Sequence, residues 1–324
     1  MLKIGSLKLK SRFILAPMAG ITDLPFRMLN RKFGCELAFV EMINVRSISY
    51  KSRKTQQMLS SLKTDRPLGV QLLGKERSYI LRAIDILNEY KFDLLDFNAA
   101  CPARKVIRRG EGAGLLKEPQ KLKKILALVV KNSRVPVTVK IRIGWDRDSV
   151  NAREVALLAE DAGVQGIFIH GRTKEQAYSG VVDYETIRQV KSALQIPVIA
   201  SGDIFSVSLA KKMFDLTECD GLAIARGALG NPWIFRELEA FFGQGRTPEY
   251  PGHEEIIRVM LEHLDAYLEF YSERIGLVKF RKFFAWYTKG FRKIRPLREK
   301  SSRAKTRQEM AEIIGGCRRL AKTP

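Results

Sequence analysis

Cys101 closes the run Asp96-Phe97-Asn98-Ala99-Ala100-Cys101-Pro102, in which one thiol, one amide and one carboxylate fall within six residues. Leu94-Leu95-Asp96-Phe97-Asn98 reads as a buried strand, and the period of two puts Asp96 and Asn98 on the same face. The thiol then sits just past the strand end, where Pro102 stops regular pairing. The following stretch, from Ala103 through Arg104, Lys105, Arg108 and Arg109 to Gly114, is long, basic and rich in glycine, a composition typical of working loops. Cys101 by itself could be a small buried hydrophobe. At a strand end under a basic loop it points instead to chemistry on an anionic substrate.

Other chemistry-bearing side chains recur at strand ends: Gln71, Asn98, Lys140, His170, Ser201 and Arg226. Ser201-Gly202-Asp203 and Ala225-Arg226-Gly227-Ala228 are two glycine-containing turns in which backbone amides and an arginine could approach a phosphate. Lys140 and Arg142 share one face of Pro136–Ile143, whose other face is Val137, Val139, Ile141 and Ile143. Cations turned into a core need partners. They are either paired with Asp96 or Glu41, or set to meet developing negative charge, and the shortage of acids on these strands favours the second. His170 lies at a strand end and is expected in a site, whereas His253 and His263 are expected on the surface of the helical tail.

A repeated strand-then-helix rhythm must position these groups. After a hairpin over residues 1–12, strands are expected at 13–16, 37–40, 68–72, 94–98, 136–143, 166–170, 197–200 and 221–225. Helices are expected at 23–33, 52–62, 76–90, 119–132, 151–162, 183–193, 206–215 and from Pro232. Eight such units in roughly 240 residues fit an α/β protein of the (β/α)8 TIM-barrel class, which needs about 250. A doubly wound sheet is the runner-up, but its early GxGxxG turn is missing. In a barrel the strand ends converge on one face, where active sites are built.

The expected domains are a catalytic barrel over residues 1–242, a Gly/Pro-rich linker over 243–252, and a small all-helical basic domain over 253–324. The whole chain of 324 residues carries a formal charge of +22, a balance that calls for a polyanionic partner. Residues 279–308 alone hold twelve Lys or Arg against one acid, Glu299. Phe280, Phe283, Phe284, Tyr287, Phe291 and Ile294 recur there at helical spacing and read as core. No apolar run reaches the roughly 18 residues of a membrane span. The basic residues Lys3, Lys8, Lys10 and Arg12 interrupt any signal-peptide pattern, so a cytoplasmic enzyme is expected. The four cysteines form no CxxC pair, and neither a disulfide framework nor a metal site is expected.

Six segments in order, Ala16-Pro17-Met18-Ala19-Gly20-Ile21-Thr22-Asp23, Gln71-Leu72-Leu73-Gly74, Asn98-Ala99-Ala100-Cys101-Pro102, Lys140-Ile141-Arg142, His170-Gly171-Arg172-Thr173 and Ser201-Gly202-Asp203, closely resemble the tRNA-dihydrouridine synthases of the bacterial B type. The likeness covers residues 10–240, with an echo in Arg281-Lys282-Phe283-Phe284-Ala285-Trp286-Tyr287. It implies FMN as cofactor, held by Pro17, Met18, Ala19, Gln71, Lys140, His170, Ser201, Gly202, Asp203, Ala225 and Arg226. It implies Cys101 as general acid, Asn98 as a uracil contact, and Arg142, Arg172, Arg104, Lys105, Arg281 and Lys282 as further substrate contacts. The implied reaction is reduction of tRNA uridine by NADPH or NADH by way of the flavin, in a monomer. Three positions depart from the family pattern: Ala100 where glycine is usual, Ser201 where asparagine is frequent, and Phe283 where histidine is common. The competing readings are a flavin barrel acting on a free pyrimidine, akin to a dihydroorotate dehydrogenase, and a tRNA binder that has lost its flavin. The basic tail disfavours the first, and the presence of Gln71, Cys101 and Lys140 disfavours the second.

Overall fold

The computed structural model describes residues 1–50 and 52–320. It forms two compact units, one made of Met1–Asp23 with Cys35–Ala225, the other of Leu24–Gly34 with Arg226 onward. The first unit begins with an antiparallel hairpin, β1 (Leu2–Ile4) and β2 (Leu7–Leu9), paired Leu2 to Leu9. Its apolar side chains Leu2, Ile4 and Leu9 are buried with Ile14, Leu94, Phe168 and Ile199 of the strands that follow, so the hairpin closes one end of their core.

Those strands are β3 (Phe13–Leu15), β4 (Leu37–Phe39), a two-residue β5 (Ile43–Asn44), β6 (Leu68–Leu73), β7 (Leu94–Ala99), β8 (Val137–Arg142), β9 (Ile167–His170), β10 (Val198–Ser201) and β11 (Gly221–Ile224). All their pairings are parallel, and the order closes on itself through β11–β3 and β4–β6. Among the described residues this is an eight-stranded barrel, with β5 pairing along β6 as a ninth short segment. The inner space is filled by large side chains. Phe39 and Phe168 meet edge to face with ring centroids 5.7 Å apart.

Around the barrel of this unit lie α2 (Val45–Ser49), α3 (Arg53–Met58), α4 (Arg77–Leu87), α5 (Arg104–Ile107), α6 (Pro119–Asn132), α7 (Ala152–Asp161), α8 (Tyr184–Ala193) and α9 (Val207–Thr217). They are amphipathic by sequence: α6 buries Leu122, Ile125, Leu126 and Val129, one stripe at helical spacing. Side-chain caps set several starts. Asp183 accepts from the Thr186 amide at 2.9 Å and Ser206 from the Leu209 amide at 3.3 Å.

Strands and helices fall where the sequence periodicity puts them, within one or two residues at most ends. Two segments differ. The helix expected at 52–62 is the shorter α3, and a further helix not expected from the sequence, α2, precedes it. The basic stretch after β7, expected as open loop, folds into α5 and a 3-10 turn over Gly112–Lys117.

The second unit holds α1 (Leu24–Lys32), α10 (Ile234–Gln244), α11 (His253–Phe270), α12 (Glu273–Tyr287), α13 (Arg295–Arg303) and α14 (Arg307–Gly316). Phe280, Phe283, Phe284, Tyr287, Phe291 and Ile294 are all buried, as the helical spacing requires of core. His263 contradicts the surface expectation, and His253 is half-buried. His263 is fully buried among Phe26, Tyr267, Phe280 and Phe283, and His253 stacks on Phe291 with ring centroids 4.8 Å apart. Histidine has an apolar ring body, and on α11 both residues fall on the face turned to aromatic neighbours. No helix among the described residues is long and apolar enough to cross a membrane.

Candidate active site at the barrel mouth

The barrel register determines which polar groups meet. Gln71 lies opposite Asp96, Asp96 opposite Thr138, Asn98 opposite Lys140, Arg142 opposite His170, and His170 opposite Ser201. Each is on the side of its strand that faces into the barrel, and the sequence runs from apolar below to polar at the strand ends.

A hydrogen-bonded chain leads to the thiol. Thr138 Oγ1 donates to Asp96 Oδ1 at 2.7 Å, and Gln71 Nε2 donates to Asp96 Oδ2 at 2.6 Å. Gln71 then accepts from Asn98 Nδ2 at 2.8 Å, so Asn98 can turn only its oxygen onward. That oxygen accepts the amides of Ala100 at 3.0 Å and Cys101 at 2.9 Å. Every member of the chain is nine-tenths or more buried up to Cys101, which is half-exposed. A fully satisfied buried network of this kind sets one arrangement.

The backbone completes the seat of Cys101. Ala113 donates its amide to the Cys101 carbonyl at 3.1 Å. Gly112 lies beside it at φ 59°, where a Cβ would come to 2.8 Å from that carbonyl and 3.0 Å from the Cys101 Cβ. Only glycine lets the basic loop close under the thiol. Burial pushes the Cys101 thiol up, against the pull of the Ala103 amide and of the Arg142 and Lys105 charges. It is therefore a protonated thiol at neutral pH, a proton donor rather than a nucleophile.

Lys140 is the cation of the mouth. Both Asp96 oxygens are already taken by Thr138 and Gln71, and no hydrogen bond or ion pair reaches the Lys140 ammonium among the described residues. Desolvation pushes the ammonium down to about 8, with Asp96 pulling the other way, while burial raises Asp96 to about 6. The pair shares a field without a direct bond, which leaves the ammonium available to a ligand. Arg142 is different. Its guanidinium donates to the carbonyls of Ala100, Thr173 and Ala177, each at 2.8 Å, and so straps the segment before Cys101 to the loop after β9.

The loop after β9 is pinned by a second buried arginine. Arg172 donates to the carbonyls of Ser179 at 3.0 Å and Gly180 at 2.6 Å, and pairs with Asp203. Its Nη1 is buried with no partner among the described residues. Gly202, at φ 137°, lies beside the His170 ring and Val182; a Cβ there would come to 2.9 Å from Val182 Cγ2. Ser201 donates to the Ile169 carbonyl at 3.1 Å. On the far side of the mouth Pro17, Met18 and Ala19 form a tight turn after β3, in which the Met18 carbonyl accepts the amides of Ile21 and Thr22, each at 3.1 Å.

The strand-end residues of the first unit are thus brought together. The remaining assignments are not members of this hydrogen-bonded set. Arg104 and Lys105 are exposed on α5. Ala225 ends the first unit, and Arg226 opens the second segment of the second. Arg281 and Lys282 are half-buried on α12, where Arg281 donates to the Ala304 carbonyl at 3.1 Å. Tyr178 was not singled out from the sequence, yet its exposed ring stands 6.3 Å from the His170 ring and 5.7 Å from the Arg142 guanidinium. An aromatic residue within a loop carries no spacing signal that would have found it.

Known proteins resemble the chain at two levels. The family model described as dihydrouridine synthase matches residues 14–320. The chain is 40% identical over 289 residues to tRNA-dihydrouridine synthase B of Pasteurella multocida, covering 89% of this chain and 87% of that protein. It is 41% identical over 285 residues to tRNA-dihydrouridine synthase B of Pseudomonas aeruginosa, covering 88% and 86%. A probable tRNA-dihydrouridine synthase of Rickettsia bellii is 39% identical over 291 residues, covering 90% and 89%. Among solved structures, histamine dehydrogenase from Rhizobium aligns with a TM-score of 0.58 at 13% identity, over 82% of this chain and 50% of that one. A morphinone reductase variant in complex with tetrahydroNAD aligns with a TM-score of 0.55 at 13% identity, over 79% and 92%. These two share the fold.

Proposed function

The chain belongs to the dihydrouridine synthase family, and from that membership we propose that it reduces uridine in tRNA to 5,6-dihydrouridine, with FMN in the barrel mouth and Cys101 as the proton donor. The observation that carries the proposal is the buried chain from Thr138 through Asp96, Gln71 and Asn98, which ends by holding the Cys101 backbone at 2.9 Å.

The mouth suits a flavin. It offers an unpaired ammonium at Lys140 and a buried unpartnered N–H at Arg172 Nη1. Lys140, Gln71, His170, Ser201, Gly202, Asp203 and the Pro17–Ala19 turn are the first-unit residues that would hold it. FMN, when bound, supplies the hydride for uracil C6, itself drawn from NADPH or NADH.

The chain supplies the rest. Reduction of the C5–C6 double bond needs one proton at C5, and the protonated Cys101 thiol gives it, regaining its own proton from water. Asn98 fixes where that thiol stands. The ammonium of Lys140 offsets negative charge that develops at the mouth during transfer. Uridine in a folded tRNA is stacked, so the reacting base must be turned out of its stack to reach the thiol. Arg104, Lys105, Arg108 and Arg109 on the loop, and the basic helices of the second unit, would bind the phosphates. That substrate places the work in the cytoplasm. A free pyrimidine would leave this charge without a purpose.

The test is direct. Purified protein should show an oxidised-flavin spectrum, release FMN on denaturation, and form dihydrouridine in unmodified tRNA with a nicotinamide reductant. Release of FAD, or protein that makes no dihydrouridine once loaded with FMN, would overturn the proposal.

A further inference from the structure

A cleft opens beside Cys101, between the loop after β7 and the loop after β9. It measures about 400 Å³ and is lined by Pro102, Arg104, Ile107, Arg108 and Lys174. Three of the five are cations, and the other two make an apolar floor. None of the three cations is in an ion pair among the described residues.

Lys174 comes from a different loop, after β9, and two features hold it in place. Its backbone amide donates to the Gly144 carbonyl at 2.9 Å, and the next amide, of Glu175, donates to the Trp145 carbonyl at 3.0 Å. Its ammonium lies over the Trp145 ring at 4.1 Å, and Lys117 lies over the same ring at 3.8 Å. A cation–π contact positions an ammonium without neutralising it, unlike a carboxylate. Trp145 therefore gathers two lysines and leaves their charge available.

Buried Arg142 fixes this cleft relative to the thiol. It bonds the carbonyl of Ala100, which precedes Cys101, and the carbonyl of Thr173, which precedes Lys174, each at 2.8 Å. The cleft and the proton donor are thus held by one guanidinium.

We propose that this cleft seats the nucleotide adjoining the reacting uridine, its phosphate on Arg104, Arg108 and Lys174 and its ribose and base on Pro102 and Ile107. The inference rests on the tRNA activity assigned above. A uridine whose C5 faces Cys101 must lead its strand past Pro102, and the first phosphate along that strand meets three unpaired cations. An apolar floor with a cationic rim matches a nucleotide within RNA, which offers an uncharged face and a charged edge.

The experiment uses the full-length FMN-loaded enzyme with Arg108→Glu, Lys174→Glu, Lys174→Arg and Trp145→Ala, after checking folding and flavin content. Each charge reversal should raise the KM for unmodified tRNA by about tenfold and flatten the slope of log affinity against log salt by about one phosphate. The kcat should stay within about twofold, because the thiol is untouched. Lys174→Arg should restore most of the affinity. Trp145→Ala should raise the KM and keep the salt slope, because the charge remains but is no longer held. The KM for NADPH in flavin reduction should not move. Reversals that leave the tRNA KM and the salt slope unchanged overturn the proposal. So does a raised NADPH KM with normal tRNA kinetics, which would give the cleft to the reductant. A wild-type enzyme that makes no dihydrouridine overturns the assigned activity and this inference with it, whereas a normal wild type matched by its variants overturns the cleft alone.

Discussion

The side-chain oxygen of Asn98 accepts the backbone amide of Cys101 at 2.9 Å, while the Asn98 side-chain nitrogen donates to Gln71 Oε1 at 2.8 Å. Asn98 is thus fixed from behind and fixes the thiol in front. Its own orientation follows from Asp96, which can only accept while ionised and so forces Gln71 to present its oxygen to Asn98.

Asn98→Ala removes the acceptor for two amides, those of Ala100 and Cys101, in a buried place. The kcat for tRNA should fall by about 10²-fold, the scale of a small misplacement at the reacting centre. Stability should fall by about 1–3 kcal/mol for the orphaned donors. FMN content and its reduction by nicotinamide should remain. Stopped-flow measurement of both half-reactions separates these effects, and a variant with full tRNA turnover would show that the cap does not position the thiol.

His263 gives a pH prediction for the second unit. Burial pulls its imidazole from the ordinary 6.5 down to about 3, with the Lys282 charge adding to the shift. The unfolded chain therefore takes up a proton as pH falls through 6.5, which the folded chain refuses until near 3. In that window the unfolded state binds more protons, so stability drops with acid by about 1.4 kcal/mol per pH unit from this group. Urea midpoints measured from pH 7.5 to pH 4 should fall less steeply in His263→Gln than in the wild type. Identical slopes would mean that His263 is protonated in the fold.

The tail's charge is not all available to RNA. Arg298 bonds Thr288 Oγ1 at 3.1 Å and the Ala285 carbonyl at 3.0 Å, and Arg307 is held by both oxygens of Asp265 at 2.8 and 3.0 Å. Lys289, Arg292, Lys293 and Arg295 are exposed. Reversing these four should weaken tRNA binding and flatten its salt dependence. Flavin reduction by nicotinamide should be normal. If binding and slope are unchanged, this face is only solvated, and the loop at 104–109 grips the RNA.

Much of this was legible in the chain itself, for a physical reason. Alternation in Val137–Arg142 and the polar pair Asp96 and Asn98 are local patterns, and a barrel turns local alternation into a shared inner face. Cys101 was visible because a proline and a basic loop follow it directly. What escaped depends on contacts between distant loops. Arg142 gives three N–H groups to carbonyls from two loops, and no spacing announces that. Trp145 with Lys117 and Lys174 is likewise assembled from three loops. The tail histidines depart from expectation because a polar residue on a highly charged helix suggests solvent, whereas α11 turns His263 into an aromatic core.

The central claim is that Cys101 gives the proton to uracil. The measurement is single-turnover oxidation of the reduced, FMN-loaded Cys101→Ala enzyme by unmodified tRNA, with dihydrouridine counted by mass. Folding, FMN content and the rate of flavin reduction by NADPH should match the wild type, because the thiol holds none of them. Dihydrouridine formation should be lost, or slowed by about 10²–10⁴-fold, the usual worth of a positioned general acid. Near-normal flavin oxidation and dihydrouridine yield in that variant would contradict the account and move the proton to another group.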